Sequence, residues 1–213
     1  FSRKRILEEP PFPEWTDTRV TRDRLRGLIE TLRPQVERTI DPWAMYLVTE
    51  TEGSGIEDHD PPDPLLETSS LCCLLVTVGD TQYEDPPDST AEEMVRDAME
   101  NVALRFAKRA VALDIRDRAH EIGWNTTRLF SPGSGNVDWD LIHSAFVFEH
   151  LPGSEIGLTL GERGLLQPPK SISSVIGLGP DVKQAPDMFT CGGCPRIPDC
   201  DYARTVGLSA SEN

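Results

Sequence analysis

The sequence predicts an α+β fold: a single domain on a central twisted, mostly antiparallel or mixed sheet flanked by helices. Three observations predict it. "LCCLLVTVG", Leu71 to Gly79, is a continuous apolar run rich in branched residues and closed by glycine, as a fully buried strand should be. Met94, Ala98, Val102, Phe106, Ala110 and Leu113 recur at helical spacing behind a Ser89 or Thr90 cap, with Glu92 and Glu93 in the first turn, which predicts one long helix over about 90–121. "EIGLTLG" and "SISSVIGLG" read as strands separated by the turn-forming "ERGLLQPPK". Helices interspersed with strands that do not repeat point to α+β rather than to a regular alternation.

The other elements follow in order. Residues 1–20, with Pro10, Pro11 and Pro13, read as an extended arm. From Thr21 to Leu32 the apolar positions Leu25, Leu28, Ile29 and Leu32 form a helical stripe behind a threonine cap. "IDPWAMYLVTET" is a strand entered after Pro42, and the acidic "EGSGIEDHDPPDPL" is a loop. Cys72 and Cys73 sit inside the apolar run and are expected to be inert core thiols. "WNTTRLFSPGSGNVDW" reads as a Gly/Pro turn region after the long helix, and "DWDLIHSAFVFEHL" restores helical spacing through Leu141, Ala145, Phe148 and Leu151. The folded unit is expected over 21–186, with 187–213 a cysteine-containing segment.

A chain of 213 residues with 38% hydrophobic content can bury a sizeable core. Its 21 basic and 36 acidic residues give a formal charge of -15, which repels phosphate backbones and anionic lipid, so nucleic acid and membrane surfaces are poor partners. There is no apolar run of about 18 residues, and the basic start "FSRKRIL" is followed by "EEPPFPEW" instead of an apolar signal core, so a cytoplasmic location is expected. The five cysteines are odd in number, and Cys191, Cys194 and Cys200 fall within ten residues, which suits thiol or metal chemistry better than a secreted disulfide framework.

The order of segments resembles the activation domain of vitamin B12-dependent methionine synthase, in a short stand-alone form. The resemblance spans most of the chain. It rests on "LLVTVG", the long helix after Ser89, "FSPGSG", "DWDL", "IGLTL", "PPKSISSVIGLG" and the terminal "CGGCPRIPDCDYAR". Its most specific part is the Ser-Pro-Gly turn followed, with Ile-Gly-Leu-Thr between, by Lys-Ser-Ile-Ser. It implies that the turn and the later serine-rich strand line one cleft that holds S-adenosylmethionine and faces a corrinoid. The candidate binding residues are then Arg128, Ser131, Pro132, Gly133, Ser134, Gly135, Lys170, Ser171 and Ser173. A turn of bare backbone lets a ligand approach closely, and a strand edge would offer unpaired N–H and C=O groups.

The chain departs from that family at several positions. Where the family has an arginine for the ligand carboxylate stands Leu129, with Arg128 one residue earlier; a one-residue shift in extended backbone sends a side chain to the other face. The family's two tyrosines fall at Ser134 and Ile176, and an acidic helix residue falls at Arg105. Short relatives carry a C-terminal cysteine cluster like "CGGCPRIPDC". Three thiolates so close together repel one another unless a metal neutralises them, so Cys191, Cys194 and Cys200 are candidate ligands for an iron-sulfur cluster or zinc, with the fourth ligand from elsewhere.

Other polar residues carry less. His59 in the acidic loop and His120 at a helix end read as solvated imidazoles, while His143 and His150 share one helix face two turns apart, too far for one ion without a third element. Lys170 stands beside Ser171 at the expected cleft mouth, where it can meet a carboxylate, a corrin amide or a phosphate. Asp138 and Asp140 flank Trp139 at a helix start, where carboxylates are stabilising. No nucleotide-binding loop, nucleophile elbow, zincin helix or dinucleotide fingerprint occurs.

The resemblance implies reductive reactivation of cobalamin, by remethylation from S-adenosylmethionine, in a corrinoid-dependent methyltransferase such as methionine synthase. The cobalamin is carried by a partner module and the electrons come from a donor such as a flavodoxin or ferredoxin. The alternative is a non-catalytic protein that binds a corrinoid protein, or passes it electrons through a cysteine-bound metal or iron-sulfur cluster.

Overall fold

Leu25, Ile29, Leu32 and Val36 are three or four residues apart and lie on one side of helix α1, Arg19–Thr39. The computed structural model describes residues 19–134, 137–184 and 188. The expected helix over Thr21–Leu32 therefore runs on to Thr39, straight through Pro34, whose missing N–H removes one hydrogen bond without ending the helix. Its apolar stripe is buried against Val95, Ala98, Met99 and Val102 of the long helix α3, Thr90–Glu121.

Helix α3 begins as its sequence requires. Ser89 has extended backbone and its hydroxyl accepts from the Glu92 N–H at 3.3 Å, while the Glu92 carboxylate reaches back to the Asp88 N–H at 3.0 Å. Replacing Ser89 by alanine should cost about 1 kcal/mol, read as a lower urea midpoint at unchanged slope.

The apolar stripe of α3 differs from the expected one beyond Val102. Phe106 and Ala110 are exposed, and the second buried stretch is Ala112, Ile115 and Ala119. The reason is that a 32-residue helix meets α1 along its first half and the sheet along its second, so no single stripe runs its length.

The main sheet has four antiparallel strands in the order β1-β2-β6-β3: β1 Trp43–Glu50, β2 Ser70–Thr77, β3 Asn125–Phe130 and β6 Ser171–Gly179. Between β1 and β2 lie a 3₁₀ turn, Ile56–His59, and the one-turn helix α2, Asp63–Leu66, which carry the fully buried Ile56 and Leu65. The expected loop there is thus part of the core.

Side chains alternate across the sheet. Leu71, Cys73, Leu75, Val175 and Phe130 pack with Ile56, Leu65, Trp139 and helix α4, Ser144–His150. Cys72, Leu74, Val76, Ile176 and Leu178 pack on the opposite face with the second half of α3. β2 is buried at every position, so its unbroken apolar run reflects two covered faces.

Two further readings are corrected. "NTTRLF" is strand β3 and not part of a turn: its Thr126 and Thr127 are buried, and the Thr127 hydroxyl accepts from the Gly177 N–H at 2.9 Å where the ladder with β6 shifts register. "EIGLTLG" is mostly not a strand. Gly153–Ile156 is a 3₁₀ turn, and Thr159–Leu160 forms only a two-residue strand, β4, paired with β5, Leu166–Gln167. A further 3₁₀ turn, Glu162–Gly164, joins them.

Cys72 and Cys73 are core thiols, as expected. Burial pushes both up from 9.0 to about 12, aided at Cys72 by its neighbour Cys73. Because the folded value lies above the unfolded one, keeping the thiols neutral stabilises the fold fully below pH 9.0 and ceases to do so as pH rises toward about 12. Tyr83, raised by burial and by its hydrogen bond to Glu100, acts in the same direction. Urea unfolding between pH 8 and 11 should therefore show stability falling with pH, less steeply when both cysteines are replaced by alanine. No helix among the described residues is long and apolar enough to cross a membrane.

Candidate functional site

The Ser-Pro-Gly turn leaves the end of β3, and β3 is the neighbour of β6, so the two segments lie side by side. Their nearest hydroxyls close on each other: Ser131 Oγ lies 2.7 Å from Ser174 Oγ, and both residues are buried. Removing one should leave the other a poorly satisfied buried hydroxyl, so Ser131→Ala is expected to lower stability by about 1–2 kcal/mol in chemical denaturation.

Alternation along β6 separates the serines. Ser174 shares the α3 face with Ile172 and Ile176, whereas Ser173 turns to the other face and donates to Ser144 Oγ of α4 at 2.9 Å. Ser171 donates to Thr77 Oγ1 at 2.8 Å. Ser131 and Ser173 are therefore on opposite sides of the sheet. β6 pairs with β2 along Ser171–Leu178, but with β3 only from Val175 to Gly179, so the Ser171–Ser174 end has a strand partner on one side only.

The turn itself is packed from beneath. Pro132 is buried, Gly133 has φ +72°, and a side chain there would come within 2.8 Å of Leu141 Cδ1. Its N–H donates to the Trp139 carbonyl at 2.8 Å and the Ser134 N–H to the Ser131 carbonyl at 3.1 Å. Gly135 lies outside the described residues. Arg128 stacks over the Phe130 ring at 4.9 Å. Lys170 extends to α3, bonded to Asp97 and, at 2.9 Å, to Asn101 Oδ1. Across the sheet pair, the chain brings the two segments together but turns their hydroxyls inward. The half-buried or exposed groups of the rim, Arg128, Gly133, Ser134, Lys170 and Ser171, are what a ligand can reach.

Cys191, Cys194 and Cys200 lie outside the described residues. Among those described, no group of three His, Cys, Asp or Glu side chains is arranged to hold a metal ion. The histidines are nonetheless closer than their sequence positions imply. His59 is only 15% exposed, with Nε2 3.5 Å from Glu149 Oε2 and its ring 5.8 Å from His143 and 5.4 Å from Phe146. The Trp139 indole donates to the His59 carbonyl at 2.7 Å, tying the acidic loop to the segment after the turn. The reading of His59 as a solvated imidazole is corrected, and only tertiary contact reveals it. His120 is exposed beside Gln184.

A concave site does exist elsewhere. A cleft of about 330 Å³ is lined by Asp41, Trp43, Asp80, Glu155, Ile156 and Pro168, together with two glycines. None of the expected site residues lines it. In the sequence its parts, "DPW" and the much later "VGD", look only like a strand start and a strand end.

No protein-family model matches this chain, and no curated protein matches it.

Proposed function

We propose that this chain serves the reductive reactivation of cobalamin in a corrinoid-dependent methyltransferase such as methionine synthase, as a separately encoded counterpart of an activation domain. The observation that carries the reading is the adjacency of β3 and β6: the Ser-Pro-Gly and Lys-Ser-Ile-Ser segments, distant in sequence, are neighbours. The partner is a cobalamin-binding methyltransferase module or corrinoid protein, and the electron donor is a flavodoxin or ferredoxin. S-adenosylmethionine is the methyl donor the resemblance implies, and when bound it would supply the methyl group; the chain's part is to dock the partner and exclude water. Cys191, Cys194 and Cys200 are proposed as ligands of an iron-sulfur cluster or zinc. Mixing the chain with the cobalamin-loaded module, S-adenosylmethionine and a reductant should convert the visible spectrum to that of methylcobalamin. An unchanged spectrum contradicts the reading.

A second reading is favoured by the inward serines. In it the chain binds a corrinoid protein, or passes it electrons, without holding S-adenosylmethionine. The mutual bond of Ser131 and Ser174, and Leu129, Ser134 and Ile176 at positions where the family has anchoring side chains, support it. Calorimetric titration separates the two: affinity no better than about millimolar, about 4 kcal/mol, selects the second. Metal content and visible absorbance of anaerobically purified protein test the cysteine assignment, and a colourless, metal-free sample contradicts it.

A further inference from the structure

Trp43 stands at the start of the edge strand β1 with 55% of its surface exposed, although the rest of the cleft around it is formed by the chain's own fold. Its ring is held in place: Nε1 donates to Asp41 Oδ2 at 2.9 Å, and the Asp41 N–H is itself tied to the Val78 carbonyl at 2.9 Å. Trp43 lines the cleft with more than half of its surface exposed, and the face of an indole carries the negative lobe of the ring quadrupole.

The other walls repeat the same sign. Asp41, Asp80 and Glu155 contribute three carboxylates, Ile156 and Pro168 contribute hydrocarbon, and no lysine, arginine or histidine among the described residues lines the cleft. Carboxylates beside an aromatic ring stabilise a compact positive charge and oppose an anion. The volume of about 330 Å³ falls at the small end of ligand clefts. A bulky cation would not fit and a bare metal ion would leave the indole unused.

We infer that the cleft beside Trp43 binds a compact organic ammonium group. The group belongs either to a free small molecule or to a lysine side chain of a partner; both present the same positive, partly apolar head. This site is independent of the proposed function, since it shares no residue with the segments that carry that reading.

The test uses the full chain labelled with ¹⁵N and follows the indole N–H signals of its four tryptophans. The Trp43 signal is identified by its absence in Trp43→Phe. Titration with tetramethylammonium, and separately with a lysine-containing peptide, should move that signal saturably and leave the other three in place. The arm that saturates at lower concentration identifies the source. The uncharged alcohol 3,3-dimethyl-1-butanol, whose tert-butyl group is the carbon counterpart of a trimethylammonium head, should not move it. Trp43→Leu should weaken binding roughly three- to thirtyfold as judged by calorimetry, and the double variant Asp80→Asn with Glu155→Gln should weaken it and flatten its dependence on salt. Both variants alter exposed side chains, and unchanged urea midpoints verify that they fold. No saturable shift with either cation, an equal shift with the uncharged alcohol, or unchanged affinity in Trp43→Leu would each overturn the inference.

Discussion

Replacing Gly164 by alanine is expected to destabilise the protein by roughly 3–5 kcal/mol. Two terms add. Gly164 has φ +80°, a left-handed conformation that costs a residue with a Cβ about 1–2 kcal/mol. The added carbon would also come within 2.0 Å of the Leu141 carbonyl oxygen and 2.5 Å of its carbon, backbone atoms that cannot swing aside as a side-chain tip does. Gly123 supplies the control, because it has φ +77° with nothing within 4 Å of its would-be Cβ. Gly123→Ala should therefore lose only about 1 kcal/mol, and the difference between the two variants in chemical denaturation measures the backbone collision alone. Leu141 also lies against Gly133, so displacement at Gly164 should be felt in the Ser-Pro-Gly turn.

Phe146→Ala is expected to cost about 3–5 kcal/mol, seen as a lower unfolding midpoint. The ring is fully buried on α4, in the cluster that joins Ile56 and Leu65 to the sheet through Cys73, Leu75 and Val175. It lies 5.4 Å from the His59 ring and 4.6 Å from that of His150. Truncation leaves a cavity between three segments that are distant in sequence, and backbone hydrogen bonds on α4 prevent the helix from simply collapsing into it. Phe146→Leu, which keeps most of the volume, should lose far less. Near-ultraviolet circular dichroism of the alanine variant should also change, because Trp139 packs in the same cluster.

What was legible in the sequence followed from pattern length. β2 and the long helix stand out because an unbroken apolar run and a capped 32-residue periodic segment have few alternative explanations. β3 was not legible: Asn125, Thr126, Thr127 and Arg128 are polar, and only the register shift against β6 and the bond from Gly177 make buried threonines tolerable there. The long helix was placed correctly while its far stripe was not, since which face is buried depends on neighbours that periodicity cannot name.

The candidate site divides in the same way. The two family-like segments approach each other just beyond the paired ends of β3 and β6, through Ser131 and Ser174. The orientation of their hydroxyls was not legible. A strand covered on both faces must turn every second serine into a core, and a buried hydroxyl then needs a partner within the protein. Ser173 found Ser144 and Ser174 found Ser131. The signal was present in "SISSVIGLG", where apolar residues follow on both alternate positions, as in a strand with two buried faces. His59 was misplaced for a different reason: its contacts with His143 and Glu149 join segments more than eighty residues apart.

The recognition of a cobalamin-carrying protein proposed for this chain has a direct test. Sedimentation velocity of the chain with the cobalamin-loaded methyltransferase module, followed at a cobalamin absorption maximum and with the chain alone run as the blank, tests it most directly. Faster sedimentation of the coloured boundary on adding the chain is the predicted result. A boundary whose sedimentation coefficient stays the same at every concentration of added chain, with or without reductant and S-adenosylmethionine, would contradict it.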